Sequence, residues 1–226
     1  MISVFLDESG THAGSSALLA GAIVTPDAGT LEHEVVMLHS AAISDRIHWE
    51  TDDKRRLFAE RGFHHSEDNV SLQNVFVLAL RSLDFRAHVA YSRRESGLDD
   101  EELLLNMYYT LARNICLRYR TESIEFVFEN ESSFNGKYSK IIDVVLADLR
   151  ASFALDVDCS VYIASKEAPA LAVVDYVLAI CAANLQPRPQ NYEKQQLNAG
   201  LPAHLAHLID FDRKVHQSAR KGVELL

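Results

Sequence analysis

The sequence predicts an α/β protein: a mixed sheet of five strands, the first three antiparallel and the last two parallel, with helices on both faces. Three observations predict it. The apolar runs at 2–6 and 16–25 are joined only by the turn-like GTHAGS, so they pair as an antiparallel hairpin. The later β-rich runs alternate with segments of helical period, so their strands pair in parallel through right-handed crossovers. The chain has 226 residues, 48% of them hydrophobic, which suffices for one large core.

The first strand, ISVFL, is apolar at Ile2, Val4, Phe5 and Leu6, as a strand covered on both faces requires. It runs into Asp7 and Glu8, and Gly10 stops it. The second, SALLAGAIVT at 16–25, ends at Pro26-Asp27. From 30 to about 42 Leu31, Val35, Leu38 and Ala42 fall on one helical stripe. A charged helix at 51–61 has Thr51 as its cap, and 71–82 is helical with Val75, Leu78 and Ala79 inward. FRAHVAY at 85–91 alternates as the third strand. The helix at 99–119 opens on Asp99, Asp100, Glu101 and Glu102, whose charges suit a helix N-terminus. IEFVFE at 124–129 is the fourth strand and also ends on an acid. A helix at 137–152, a fifth strand at 157–164 and a helix at 170–184, opening after Pro169, follow. LQPRPQNYEKQQLNAGLP, at 185–202, holds three of the five prolines and reads as an arm, before a last helix at 203–219.

This element order is that of a ribonuclease H-like fold, with a helical insertion at about 28–82 between strands 2 and 3. The expected organisation is one such domain over 1–184, with the arm and helix of 185–226 packed on it and offering a face to a homodimer. Asp7 and Glu8 interrupt the first apolar run before it reaches signal-peptide length, and no segment attains the 18 or so apolar residues of a membrane span. Cys116, Cys159 and Cys181 show no CxxC spacing, so they read as reduced core thiols of a cytoplasmic protein. A net charge of −10 argues against avid, sequence-independent nucleic-acid binding by the whole surface. Arg55-Arg56, Arg93-Arg94, Arg118 with Arg120, and Arg213-Lys214 read as solvated faces or pieces of a local basic track. No GxSxG, Walker loop, GxGxxG or HExxH pattern occurs.

Three acids stand where the pattern calls for apolar residues. Asp7 ends the first strand and Glu129 the fourth, and each has a plain alternative as a turn or capping residue. Asp175 lies on the apolar stripe of the helix PALAVVDYVLAI, with Leu171 and Leu178 a turn to either side and no lysine or arginine between Glu167 and Pro187. In a ribonuclease H-like sheet the first strand lies beside the fourth and this helix packs over their ends, which brings Asp7, Glu129 and Asp175 together. Converging carboxylates repel unless a cation joins them, and oxygen ligands suit Mg²⁺ or Mn²⁺. Two such ions about 4 Å apart stabilise both oxygens of a phosphodiester displacement. The chemistry implied is hydrolysis of nucleic acid. Glu8 or Glu50 is a fourth ligand or a base, and His48 positions water or contacts phosphate. Ser165 and Lys166 hold a phosphate or pair with Asp175, His12 approaches through its loop, and His64-His65 is assigned to the surface.

FLDESG followed by LLAGAIVTP, the segment RIHWE, and the run ASKEAPALAVVDYVLAI occur in that order across about residues 2–184. Together they resemble the DUF3800 family of mostly bacterial and phage-borne proteins, regarded as ribonuclease H-like. The resemblance implies metal ligands at Asp7, at Glu129 where the family more often has Asp, and at Asp175, while Glu8 and Ser9 also match the first motif. The family's Glu-aliphatic-Lys/His element stands here as Arg46-Ile47-His48, with Asp45 or Glu50 as substitutes for its acid, and the usual Leu-Gln before the late Asp is Leu171-Ala172. Two alternatives to a nuclease follow: a catalytically weakened binding module of the same fold, and a metal-dependent hydrolase of a small phosphorylated metabolite.

Overall fold

Strands β1 (Ile2–Ser9) and β2 (Leu18–Thr25) form the expected antiparallel hairpin, with Asp7 opposite Gly21. The structure, a computed structural model, describes residues 1–12, 14–131, 134–185, 201, 204–212 and 215–217. β3 (Arg86–Ser92) lies antiparallel to β2. β4 (Ile124–Glu129) joins the other edge of β1 in parallel, and β5 (Cys159–Ala164) continues in parallel from β4. These five strands have the directions predicted.

The strand count is a correction. The sheet has seven strands in the order β5-β4-β1-β2-β3-β6-β7, because β6 (Leu205–Asp210) pairs parallel to β3 and β7 (Val215–Gln217) pairs antiparallel to β6. The helix expected at 203–219 is therefore absent from the described part of that range. Leu201, Leu205 and Leu208 do carry helical spacing, but β3 is buried along its length, and its outer backbone groups would be orphaned without a partner strand. That demand outweighs local periodicity. Within β6 the apolar residues divide between the two sides of the sheet, Leu205 and Leu208 on one and Ile209 on the other. The arm at 185–202 lies, apart from Leu185 and Leu201, outside the described residues, and so does the homodimer face assigned to it.

Helices α1 (Ala28–Ser44), α2 (Asp52–Arg61) and α3 (Val70–Ala79) form the insertion between β2 and β3. The side chains of Asp27, Thr51 and Asn69 cap them by accepting the backbone N–H of Thr30, Lys54 and Leu72. α4 (Asp100–Arg118), capped by Asp99, and α5 (Asn135–Phe153) cover one face of the sheet, while α6 (Pro169–Asn184) and the insertion cover the other. Strand alternation then decides which acid faces which layer. Phe5 points into the core shared with α6, whereas Val4 and Leu6 point into the core shared with α4 and α5. Asp7 follows Phe5 to the α6 side, and Glu8 follows Leu6 to the α4 side.

α6 packs across β1 and β2, and Gly21 permits that approach. A Cβ on Gly21 would stand 2.8 Å from Leu178 Cδ2 and 3.3 Å from Val174 Cγ1. Because Gly21 is the residue opposite Asp7 and Val174 precedes Asp175, the missing side chain sets the distance between two of the acids. Gly21→Ala is expected to cost about 1–3 kcal/mol through overpacking, a fall of roughly 3–10 °C in melting temperature. A thermal scan showing no loss would mean that α6 is not held at this spacing.

Candidate functional site

Parallel pairing sets Leu6 beside Phe128, so the next residues, Asp7 near the end of β1 and Glu129 at the end of β4, lie side by side on the α6 face. Asp7 is only 8% exposed. Its Oδ1 accepts the Glu8 backbone N–H at 2.7 Å, and its carboxyl group lies beside that of Glu129. Burial holds the Asp7 pKa well above the usual carboxylate range, and the adjacent Glu129 raises it further, with smaller contributions from Glu8 and Asp175. Among the described residues the cation paired with Glu129 is Lys166, whose Nζ is 4.0 Å away on a half-exposed side chain, too distant and too solvated to neutralise the pair.

Asp175 projects from the middle of α6 and is met by the loop between α2 and α3. Its Oδ2 accepts the His65 backbone N–H at 2.7 Å, with His64 Nδ1 3.6 Å away. The loop is held by Asp68, whose fully buried carboxylate accepts from Arg61 Nη2 at 2.8 Å, the His64 N–H at 3.0 Å and the Tyr176 hydroxyl at 2.5 Å. Gln73 Nε2 donates to the carbonyls of His65 and Asp68. Assigning His64-His65 to the surface is thus corrected: the pair packs on Asp175. The signal in the sequence was the absence of any local cation near Asp175. Which loop would answer it was not legible.

The remaining predicted residues separate into two groups. Glu8, on the opposite face, accepts a short hydrogen bond from the Tyr108 hydroxyl of α4; burial raises its pKa while that bond lowers it. Ser9 ends β1 half-buried, and Ser165 follows β5, where it helps lower the pKa of Glu167. Lys166 approaches Glu129. His48 and Glu50 lie on the insertion, and no described contact joins them to the three acids. His48 Nδ1 is 2.7 Å from Ser71 Oγ and its Nε2 is 3.8 Å from Asp45, while exposed Glu50 pairs with Lys54 at 2.5 Å. Beside them a groove of about 520 Å³ is lined by Trp49, Lys54, Arg61, Asp68, Asn69 and Glu167.

The arginine pairs Arg55-Arg56 and Arg93-Arg94 are engaged within the protein, and Arg213-Lys214 lies outside the described residues. Arg55 and Arg56 pair with Asp52 and Asp53, and Arg93 Nη2 donates to the Leu185 carbonyl. Arg94 braces the turn after FLDESG, binding Asp100 and donating to the carbonyls of Gly10 and Ser15. Gly10 itself has φ +86° and no room for a side chain, since a Cβ would lie 2.1 Å from the Ala17 carbonyl oxygen.

Chemically the cluster is a set of hard oxygen donors. Among the described residues no three acid, imidazole or thiol groups converge closely enough to hold an ion as they stand. The Asp7–Glu129 pair still fits Mg²⁺ or Mn²⁺, because Mg²⁺ is ordinarily held by one or two carboxylates together with water and substrate phosphate.

No family model and no curated protein sequence matches the chain. Among solved structures it is similar to ribonuclease H2 from Pyrococcus horikoshii OT3, at 12% identity and a TM-score of 0.46, over 89% of this chain and 79% of that one. It is also similar to the structure of the PCNA:RNase HII complex from Archaeoglobus fulgidus, at 12% identity and a TM-score of 0.38, over 80% and 72% of the two chains. Neither likeness assigns a role to a residue of this chain. Among the described residues no helix is long and apolar enough to cross a membrane.

Proposed function

We propose that this chain is a divalent-metal-dependent phosphodiesterase of ribonuclease H-like fold that hydrolyses nucleic acid, with Asp7, Glu129 and Asp175 holding Mg²⁺ or Mn²⁺. One observation carries the reading: a buried aspartate near the end of β1 lies beside the Glu129 carboxyl group at the end of β4, with further acids near enough to raise its pKa. A protein gains no stability from such an arrangement, and strongly perturbed acids gathered at one place mark functional sites. The resemblance of FLDESG and of the run around Asp175 to DUF3800 motifs points to the same three residues.

The metal, when bound, supplies the charge that stabilises a developing phosphoryl oxyanion and lowers the pKa of an attacking water. The chain does the rest. Asp7 and Glu129 present adjacent carboxyl oxygens to a cation. Asp175 is kept in place by the His65 N–H, so one of its oxygens is oriented before any ligand arrives. Lys166, half-exposed beside Glu129, offers a positive charge to a substrate phosphate.

A specific observation favours a second substrate class. With a net charge of −10 and most of the described arginines engaged within the protein, a small phosphorylated metabolite meets less long-range repulsion than a polymer does. Labelled RNA, DNA, RNA–DNA hybrid and a small phosphate ester, each incubated with Mn²⁺, Mg²⁺ or EDTA, separate the readings. Metal-dependent cleavage of a polynucleotide, reduced at least about a hundredfold in Asp175→Asn, is expected. No turnover of any substrate, or turnover undiminished in that variant, removes the enzyme. Absence of metal binding by calorimetry with partner association retained would instead identify the binding module.

A further inference from the structure

Two of the three cysteines touch. Cys116 lies in the last turn of α4 and is fully buried, and Cys159 opens β5 and is partly exposed. Their Sγ atoms are 3.8 Å apart across 43 positions of chain, while Cys181 is buried on its own in α6. β5 is the outermost strand of the sheet, so a small oxidant reaches Cys159 without crossing the core.

We infer that Cys116 and Cys159 are a redox-modification site, at which a peroxide joins them in a reversible disulfide that ties α4 to the edge strand β5. A disulfide bond is about 2.05 Å long, so the two sulfurs must close by less than 2 Å, a shift that side-chain rotation supplies. Cys159 is the attacking group. The Cys116 thiol hydrogen-bonds its sulfur and lowers its pKa, whereas the same contact and burial raise that of Cys116, and burial pushes the Cys181 thiol up to about 12. The Cys159 thiolate attacks one oxygen of the peroxide, the O–O bond breaks, and the released hydroxide leaves as water, giving a sulfenic acid. Cys116 sulfur then attacks that sulfur, its proton departs with the displaced hydroxyl as a second water, and the S–S bond forms. Two thiols lose two electrons and one peroxide gains them. The crosslink closes a loop containing β4 and α5, and it anchors the strand beyond which Lys166 reaches Glu129. The inference does not depend on the metal-site reading.

The full chain, treated with hydrogen peroxide under native conditions and then alkylated and digested, provides the test. A peptide joining Cys116 to Cys159, reversed by dithiothreitol, is expected, with Cys181 alkylated only after unfolding. The melting temperature of the oxidised form should rise by roughly 10 °C through loop closure. Cys181→Ser should crosslink as the wild type does, and Cys159→Ser should not. Recovery of Cys116 and Cys159 as alkylated thiols, or of Cys159 as sulfinic acid without a crosslink, overturns the inference. If Cys159→Ser fails to fold, the wild-type peptide map decides alone.

Discussion

Replacing Asp7 by asparagine should raise the melting temperature of the metal-free protein at neutral pH by roughly 3–10 °C and abolish the stabilisation that Mn²⁺ gives the wild type. The reason is the cost of holding Asp7 ionised where it is. Its folded pKa is raised, first by burial and then by Glu129, so the folded state binds more protons than the unfolded chain between the ordinary carboxylate range and that raised value. Stability from this group is complete below the ordinary range and is lost as the pH rises through the folded pKa. Glu8, also raised chiefly by burial, contributes with the same sign. Asparagine mimics the protonated acid, so the advantage of Asp7→Asn should shrink as the pH is lowered and vanish once the wild type is protonated. Excess Mn²⁺ at a hundredfold its Kd should stabilise the wild type by about 2.7 kcal/mol and the variant hardly at all. Thermal scans across pH, with and without Mn²⁺, read both effects. A variant less stable than wild type at every pH, or one that still responds to Mn²⁺, would contradict the account.

Asp68→Ala should be among the most damaging single changes in the insertion, at about 3–5 kcal/mol, or a fall of roughly 10–15 °C. The substitution removes one carboxylate but strands three donors: the Arg61 guanidinium, the Tyr176 hydroxyl and the His64 N–H. Burial and the Asp68 carboxylate both hold Tyr176 in its protonated form, so its hydroxyl has no cheap alternative to that bond. Asp68→Asn keeps an acceptor for Tyr176 and His64 while losing the charge opposite Arg61, and it should cost less than the alanine variant. Because this loop places the His65 N–H on Asp175, both variants should also weaken Mn²⁺ binding. Chemical denaturation that finds Asp68→Ala within about 1 kcal/mol of wild type would mean that the loop is held by other contacts.

Most elements of the first 184 residues were legible where two signals agreed, but the inward face of α3 was not: Leu72 and Phe76 are buried, whereas Leu78, expected inward with Val75 and Ala79, is exposed. α2 has both its charged face and its Thr51 cap, and α4 has the Asp99 cap with acids in its first turn. Strand directions followed from connection length alone. β6 was not legible, since Leu201, Leu205 and Leu208 repeat at helical spacing and only the unfilled edge of β3 makes that segment extend. The acids were legible as misfits, three polar residues in apolar surroundings, but the role of His64-His65 was not, because a backbone N–H donated by a loop leaves no mark in the residue types.

By itself the sequence determined the hairpin, the two crossovers and the presence of carboxylates at the ends of β1 and β4, since alternation, connection length and burial cost are local properties of the chain. Only the tertiary structure decided that Asp7 is buried beside Glu129, that Glu8 turns to Tyr108 on the other face, and that the insertion reaches over to hold Asp175. Those outcomes depend on register and on the spacing of layers, which Gly21 sets by leaving room for Leu178, and a one-residue slip would have sent each acid to the opposite side.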